Sequence, residues 1–408
     1  MLSVGMLTYS TKPRGSVVHA ICLAEALTAR GLDVTLYALT KAGDGFFRPV
    51  RCKTRLIPAA EAPADADALI RQRIAELQRG LSDIATRHSL WHAQDCLTAS
   101  ALLTSGVAEH RPVVRTVHHV ERFESPYLAA CQRRSVEQAD LVLSVSEFTS
   151  REVRAEFGRD AAVIHNGVDH ERFGLHPASA ENAAQGPHLS HAELAARFGI
   201  TSEDEVVLSV GGVEERKNTL RALAAMRLVL QRHPRVRWVI AGGASMWEHA
   251  AYRAEFAAEL ATFPEAFRAR ISCLGPVAED VLTALYRRSD VLLCASLHEG
   301  WGLSVAEAMS AGTPVVCSEG EPFSEFTDAS TAEHVDPLSV ASIASGLSRL
   351  LSDPVLRRRQ ALAAQLRARA FSWDRAARLH ERAYQRMLRD RAGVRLSDPS
   401  KSLAALLR

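Results

Sequence analysis

The stretch VLLCASLHEGWGLSVAEAMSAGTPVVCS, residues 291–318, decides the fold. It opens on an apolar run, Val291 to Ala295, and breaks at Gly300 and Gly302. From Leu303 it takes helical spacing, and it closes on a second apolar run, Pro314 to Ser318. Run, glycine loop, helix and run make a βαβ unit, in which the helix carries the chain back so that the two strands lie parallel. Working outward, the rhythm extends back through Val206 to Val210, Val236 to Ala241 and Ile271 to Leu274. A small, polar, turn-forming interval from Gly174 to His191 interrupts it. On the other side of that interval the runs are Leu2 to Thr8, Val34 to Leu39, Val113 to Val117, Leu141 to Val145 and Val163 to His165, with a helix read from Val18 to Arg30. The pattern predicts α/β architecture in two Rossmann-like domains, residues 1–170 and 192–372, each built on a buried parallel sheet. Ligands of open α/β sheets bind outside the carboxyl ends of the strands, so the chemistry is expected there.

The chain has 408 residues, enough for two cores, and its 47% hydrophobic and 24% charged residues are those of a globular protein. Forty-nine Lys and Arg against 47 Asp and Glu leave a net charge of +2, too balanced for the field that drives nucleic-acid binding. No nucleic acid is therefore expected as partner, and any anion has to be gripped locally. Seven cysteines, widely spread and without a Cys-x-x-Cys pair, predict neither a disulfide frame nor a zinc cage, but reduced, buried thiols in a cytoplasmic protein. Met1 to Tyr9 lacks the basic start of a signal peptide, and no run approaches the length of a membrane span.

Other segments read less sharply. Lys41 to Arg55, with Phe46 and Phe47, reads as a mobile loop, and Val355 to Leu388 as two Arg-rich amphipathic helices broken near Phe371 to Asp374. A helix from Asp67 to His88 carries Arg71, Arg73, Arg79 and Arg87; a solvated face is the expectation, with peripheral contact at the inner membrane face as the competing reading. The tail from Arg391 to Arg408 admits the same two readings.

Two nucleotide signatures can be tested directly. Neither G-x-x-x-x-G-K-[ST] nor G-x-G-x-x-G occurs, which demotes ATP hydrolysis and NAD binding. Gly211-Gly212 and Gly242-Gly243 end strands but lack the third glycine of a dinucleotide fingerprint. Asp65-Ala66-Asp67 opens a helix, where carboxylates match the helix dipole, so no metal site is expected from it.

The residues that carry chemistry lie in the opening stretch. Glu299 and Glu307 stand eight positions apart, a spacing that 47 acidic residues produce roughly five times by chance, so context has to supply the meaning. Glu299 falls just past a strand end. Gly300 and Gly302 allow close approach of the backbone to a ligand, and the helix from Leu303 offers N–H groups without intrahelical partners. Glu307 lies a little over one turn inside. A pyrophosphate on the helix N-terminus, with a carboxylate accepting from ribose hydroxyls, would use them all. The competing reading makes Glu299 a helix cap and Glu307 a solvated charge.

Further segments fall in a familiar order. They are Tyr9 to Ser16 entering the first helix, Gly31 to Thr35, Arg115-Thr116-Val117-His118, Leu143 to Glu147, and Val163-Ile164-His165-Asn166-Gly167-Val168-Asp169. In the second half come Val210-Gly211-Gly212 with Lys217, Ile240 to Gly243, Leu274-Gly275, the Glu299 to Glu307 pair and Phe371-Ser372-Trp373. Over nearly the whole chain this resembles the bacterial retaining glycosyltransferases of family 4, which have the GT-B fold: two Rossmann-like domains facing a central cleft. The resemblance implies that the first domain holds the acceptor and the second a nucleotide-diphosphate sugar, with a last helix, 373–389, returning to the first domain. It also implies a metal-independent transfer with no cofactor besides that co-substrate. Glu307 would bind the ribose. The backbone at Gly302, Leu303 and Ser304 would meet the diphosphate, Lys217 would pair with it, and Glu299 would lie nearest the sugar. Gly15 and Ser16 would form a loop over the phosphates, and His118 would reach the sugar. Glu299, His118 and Lys217 are thus the catalytic candidates. Gly15, Ser16, Arg216, Lys217, Gly302, Leu303, Ser304 and Glu307 are the donor-binding ones.

The chain also departs from that family. An arginine is common at the place of Gly212; here a glycine stands there, and Arg216 beside Lys217 is the expected substitute. His119 follows His118 where an acid is frequent, and Glu319-Gly320-Glu321-Pro322 replaces a glycine pair. The acceptor, the sugar, the base and the oligomeric state have no motif. Two alternatives share the fold: a sugar-nucleotide epimerase, and a non-catalytic nucleotide-sugar binding protein.

Overall fold

Seven apolar or half-apolar segments pair side by side in the first part of the chain: β1 (Ser3–Thr8), β2 (Asp33–Thr40), β3 (Lys53–Pro58), β4 (Leu90–Ala93), β5 (Val113–Val117), β6 (Leu141–Ser144) and β7 (Ala162–Val163). All are parallel, in the order β3-β2-β1-β4-β5-β6-β7. These pairings come from a computed structural model of the chain, which describes residues 1–41, 44–174, 189–243 and 250–393. A second all-parallel sheet consists of β8 (Glu205–Val210), β9 (Val236–Ala241), β10 (Ile271–Gly275), β11 (Val291–Cys294), β12 (Val315–Ser318) and β13 (Glu333–Val335), in the order β10-β9-β8-β11-β12-β13. The chain divides into two compact units, Met1–Gly167 with the stretch from Trp373 onward, and Val168–Ser372. Each is a Rossmann-like αβ layer structure.

Why strands form here is visible in burial. β1, β4, β5, β11 and β12 are buried along all or nearly all of their length, as continuous apolar runs in the middle of a helix-covered parallel sheet must be. β3 is the exception. It lies at the sheet edge with Lys53 and Thr54 exposed, and its sequence KTRLIP carries no period-two signal. The loop expected from Lys41 to Arg55 overlaps its first three residues, while residues 44–52 are irregular or bent as expected. Within that loop Phe46, Phe47 and Val50 pack on the first core, which ties it down ahead of the edge strand. β4 and β13, of four and three residues, were too short to stand out in the pattern.

In the first unit the helix Gly15–Ala29 buries Val17, Ile21, Leu23 and Leu27 against Val4, Met6, Val34 and Leu36. The long helix Trp373–Arg391 joins the same core through Ala376, Ala377, Ala383 and Tyr384. Arg30 ties it down, bonding Asp374 and Glu381, each at 3.1 Å. The expected helix from Asp67 to His88 spans only Ala66–Leu81. Asp65 caps it by accepting from the Ala68 amide at 2.7 Å, and Asp67 accepts from the Ser125 hydroxyl at 2.5 Å.

In the second unit, Val207, Trp238, Leu293 and Val316 of the sheet meet Met226, Leu347 and Leu350 of the flanking helices. Of the turn-rich interval read from Gly174 to His191, residues 175–188 lie outside the described residues, as does the tail beyond residue 393. All seven cysteines are free; Cys273 is exposed and Cys52 half-buried, contrary to the expectation that all would be buried. No helix among the described residues is long and apolar enough to cross a membrane.

Candidate active site

The order β10-β9-β8-β11-β12-β13 reverses direction between β8 and β11. At such a switch point the loops leaving the two strands diverge and open a crevice at their carboxyl ends. A crevice lies there, lined by Val210 to Gly212 after β8, by Cys294 to Ser296 after β11, and by Lys217. The glycines make room for it. A Cβ on Gly211 would stand 2.9 Å from Lys217 Cε, so the lysine stem lies directly on bare backbone. At Gly212 a Cβ would stand 2.5 Å from the Gly243 carbonyl oxygen. That contact explains the missing arginine: no side chain fits at Gly212 without moving the backbone of the next loop.

Arg216, the expected substitute, shares a carboxylate with Lys217. Glu299 accepts from Lys217 Nζ at 2.6 Å through Oε1 and from Arg216 Nη1 at 3.0 Å through Oε2. Arg216 also donates to the His298 carbonyl at 3.1 Å. Glu299 is buried, and burial alone would raise its carboxyl. The charges of Lys217 and Arg216 and the hydrogen bonds of Lys217 and Ser296 outweigh that and hold it well below the usual carboxylate range. The pairing favours the carboxylate form of Glu299, which accepts from both cations at once. It does not cap the helix that follows.

Asn218, which sequence reasoning missed, fixes this arrangement. It adopts a left-handed backbone (φ 59°) and is buried, and its side-chain amide donates to the Ala295 and Pro337 carbonyls at 2.9 and 2.7 Å. Its carbonyl oxygen accepts from Arg221 at 2.7 Å. A left-handed asparagine fully bonded at a helix start is held by its surroundings, and it turns Lys217 back over Gly211. The signal in sequence was only a Lys-Asn pair before a helix.

The helix Leu303–Ala311 starts at Gly302, which has φ 99° and offers no side-chain cap. A Cβ on Gly302 would stand 2.6 Å from the Phe323 ring. The buried Trp301, stacked on Phe326 at 4.4 Å, anchors the turn. An uncapped start leaves the N–H groups of Leu303 and Ser304 to an external acceptor. The Ser304 hydroxyl faces the buried Cys294 thiol at 3.9 Å. One turn along, Glu307 accepts from the Tyr286 hydroxyl at 2.8 Å. Burial pushes its carboxyl up to about 7, the Tyr286 hydrogen bond and Arg172 resisting, Glu279 and Asp169 adding to the rise. Glu307 is thus neither solvated nor held as a settled anion.

In the first unit, Gly15 and Ser16 do not form a loop. They are the first turn of the helix Gly15–Ala29, whose N-cap Arg14 makes no side-chain cap, so this turn too presents bare N–H groups. Gly15 has open space around it. His118 follows β5 and donates through Nε2 to Gln94 Oε1 at 3.0 Å. The Gln94 amide reaches His92 Nε2 at 3.4 Å, and His92 Nδ1 meets the Tyr384 hydroxyl at 2.7 Å. With the Gln94 oxygen facing His118, the ring carries its proton on Nε2 and has its lone pair on Nδ1. His118 also packs edge-on against His19 at 4.7 Å, and burial, then the neighbouring His19 and Arg115, keep it neutral, well below the usual histidine range. His119 instead pairs with Glu121 at 2.6 Å. Among the described residues no group of three or more His, Cys, Asp or Glu side chains is arranged to hold a metal ion.

Known proteins carry the same two halves. Residues 13–172 match the family described as Glycosyltransferase Family 4, and residues 191–367 match Glycosyl transferases group 1. A D-inositol 3-phosphate glycosyltransferase of Corynebacterium diphtheriae is 27% identical over 91% of this chain and 89% of its own length. A glycogen synthase of Mycobacterium tuberculosis is 27% identical over 90% and 89%. Among solved structures, sucrose-phosphate synthase from Thermosynechococcus elongatus superposes with a TM-score of 0.77 at 19% identity, covering 96% of this chain and all of that one. The Anabaena protein HepE, crystallised with UDP-glucose, gives 0.76 at 17% identity, covering 95% and 100%. The chain belongs to the bacterial glycosyltransferases of family 4, with the GT-B fold of two Rossmann-like units. It is a glycosyltransferase.

Proposed function

We propose that the chain transfers a hexose-like sugar from a nucleoside-diphosphate sugar to a separate acceptor with retention of configuration and without a metal ion. The observation that carries this is the assembly at the β8–β11 switch point. Lys217 and Arg216 are locked on Glu299, the uncapped Leu303–Ala311 helix start lies in the loop segment just past Glu299, and Glu307 stands one turn inside that helix. That the HepE structure contains UDP-glucose adds support for the donor class.

In this reading the diphosphate lies on the N–H groups of Leu303 and Ser304, and the ribose hydroxyls donate to Glu307. As the bond between anomeric carbon and phosphate oxygen breaks, negative charge grows on the diphosphate. Lys217 and Arg216, already positioned, stabilise that charge more than they stabilise the intact donor. The acceptor hydroxyl attacks the face the diphosphate leaves, and its proton passes to the departing phosphate oxygen. The protein is then asked for no general base. This suits Glu299, whose carboxyl is held low. Glu299 serves the sugar end of the site through the cations it aims. In the first unit, Gly15 and Ser16 offer bare amides to phosphate, and His118 an Nδ1 acceptor to a sugar hydroxyl. The first unit is assigned the acceptor and the second the donor.

A panel of nucleoside-diphosphate sugars, screened by thermal shift and then for slow cleavage to water, tests the proposal. The expected result is one donor that stabilises the chain and is released as free sugar of retained configuration. An isomerised sugar nucleotide would point to an epimerase, and binding without turnover to a non-catalytic subunit; either result contradicts the proposal.

A further inference from the structure

The helix Pro354–Ala368 buries a single stripe, Leu356, Gln360, Ala364 and Ala368, on the body of the second unit. Its opposite face is unusual. Val355, Leu362 and Leu366, at relative positions i, i+7 and i+11, are 79%, 59% and 65% exposed. Arg358, Arg359 and Arg369 fall on the same arc of the helix, all exposed. Among the described residues none of these three arginines is paired with a carboxylate. From Pro354 to Trp373 the sequence contains five arginines and no acidic residue.

We propose that this face docks on an anionic lipid bilayer. Three large apolar side chains held in water are costly, and a ridge of them flanked by cations of one sign is the pattern of a helix lying in a membrane interface. The arginine stems cover the flanks of the ridge and carry their guanidinium groups out to lipid phosphates while the leucines enter the acyl boundary. Charge decides against a second copy of the chain, because the same face on a partner would set arginine against arginine. It also decides against an acidic nucleic acid, because the centre of the face is aliphatic and offers no ring for stacking. The helix Ala66–Leu81, where the sequence suggested membrane contact, is a poorer surface: Arg71 lies over the Tyr127 ring at 3.7 Å and Arg73 is bonded to Glu76 at 2.7 Å.

The test is flotation of the full chain with phosphatidylcholine vesicles, with or without about 30% phosphatidylglycerol. The chain is expected to float only with the anionic vesicles and to be released by about 0.5 M salt. Leu362→Ser with Leu366→Ser is expected to weaken binding about tenfold or more, and Arg358→Ser with Arg359→Ser to weaken it and flatten the salt dependence. Arg71→Ser is expected to leave it unchanged. All the substituted side chains are exposed or half-exposed, and unchanged circular dichroism would confirm that the variants fold. Failure of the wild-type chain to float, full binding by the leucine variant, or loss of binding in Arg71→Ser would each overturn the proposal. So would a concentration-dependent dimer that the leucine substitutions dissolve.

Discussion

Lys217 Nζ stands 2.6 Å from Glu299 Oε1, while the other oxygen of the same carboxylate is taken by Arg216 at 3.0 Å. The lysine to which the proposed mechanism assigns the departing diphosphate is thus held before any donor arrives. Glu299→Gln should leave both cations unaimed and cut transfer by about 100-fold or more, the usual size of a lost preorganised donor. It should also cost about 1–3 kcal/mol of stability, less than for a fully buried pair because Arg216 is a third exposed. Steady-state kinetics and denaturant unfolding of the same variant check both.

In the proposed function Glu307 links donor affinity to pH. Its carboxyl is raised to about 7 in the folded chain from an ordinary value near 4.5. The folded state therefore binds the extra proton, and this group's contribution to stability is lost as pH rises from about 4.5 through 7. The carboxylate is the stronger acceptor for a ribose hydroxyl, so donor affinity should climb as pH passes through 7, about threefold to tenfold between pH 6 and 8. Tyr286→Phe removes a hydrogen bond that lowers the carboxyl and should shift the midpoint upward. Glu307→Gln should flatten the profile. Titration of the nucleoside diphosphate at several pH values reads all three.

Gly302→Ala should be costly for two independent reasons. Its φ of 99° is strained for any residue with a Cβ, and that Cβ would stand 2.6 Å from the Phe323 ring. About 1–3 kcal/mol of stability should be lost, with weakened diphosphate binding as the helix start shifts. Gly15→Ala, with open space around it at a helix start, should be nearly neutral for stability. The pair compared by thermal unfolding separates a backbone requirement from mere sequence habit.

The first unit should be acid-sensitive. Burial lowers His19 to about 3 and His380 to about 4, and holds His92 and His118 well below the usual range. The unfolded chain takes up these protons at about 6.5, so stability is full above that value and is lost as pH falls toward 4. The slope should approach about 1.4 kcal/mol per pH unit for each histidine still neutral. Denaturant midpoints at pH 7.5, 6 and 5 measure it, and His380→Phe should reduce the slope.

How far the sequence spoke depended on the kind of signal. The continuous apolar runs of β1, β5, β8, β9 and β11 were legible because a strand buried on both faces has few alternatives. β3 was not, since an edge strand carries Lys53 and Thr54 in solvent and resembles a loop. Glu299, Glu307, Lys217 and Arg216 were found as residue types in order, yet their mutual geometry was not. Only coordinates reveal that Glu299 bonds both cations, or that Gly212 is forced by the Gly243 carbonyl. Asn218 and Gln94 were invisible for a related reason. Asn218 holds the turn beside Lys217 through the distant Ala295 and Pro337 carbonyls, Gln94 meets the His118 ring from another strand end, and neither belongs to a local pattern.

The central claim is that Lys217, aimed by Glu299, stabilises the departing diphosphate. The most direct measurement is the first-order rate at which the enzyme, saturated with its donor, cleaves it to water, compared between wild type and Lys217→Ala. The account predicts a fall of about 100-fold or more with the dissociation constant changed by no more than about tenfold. Equal rates in the two proteins would contradict it.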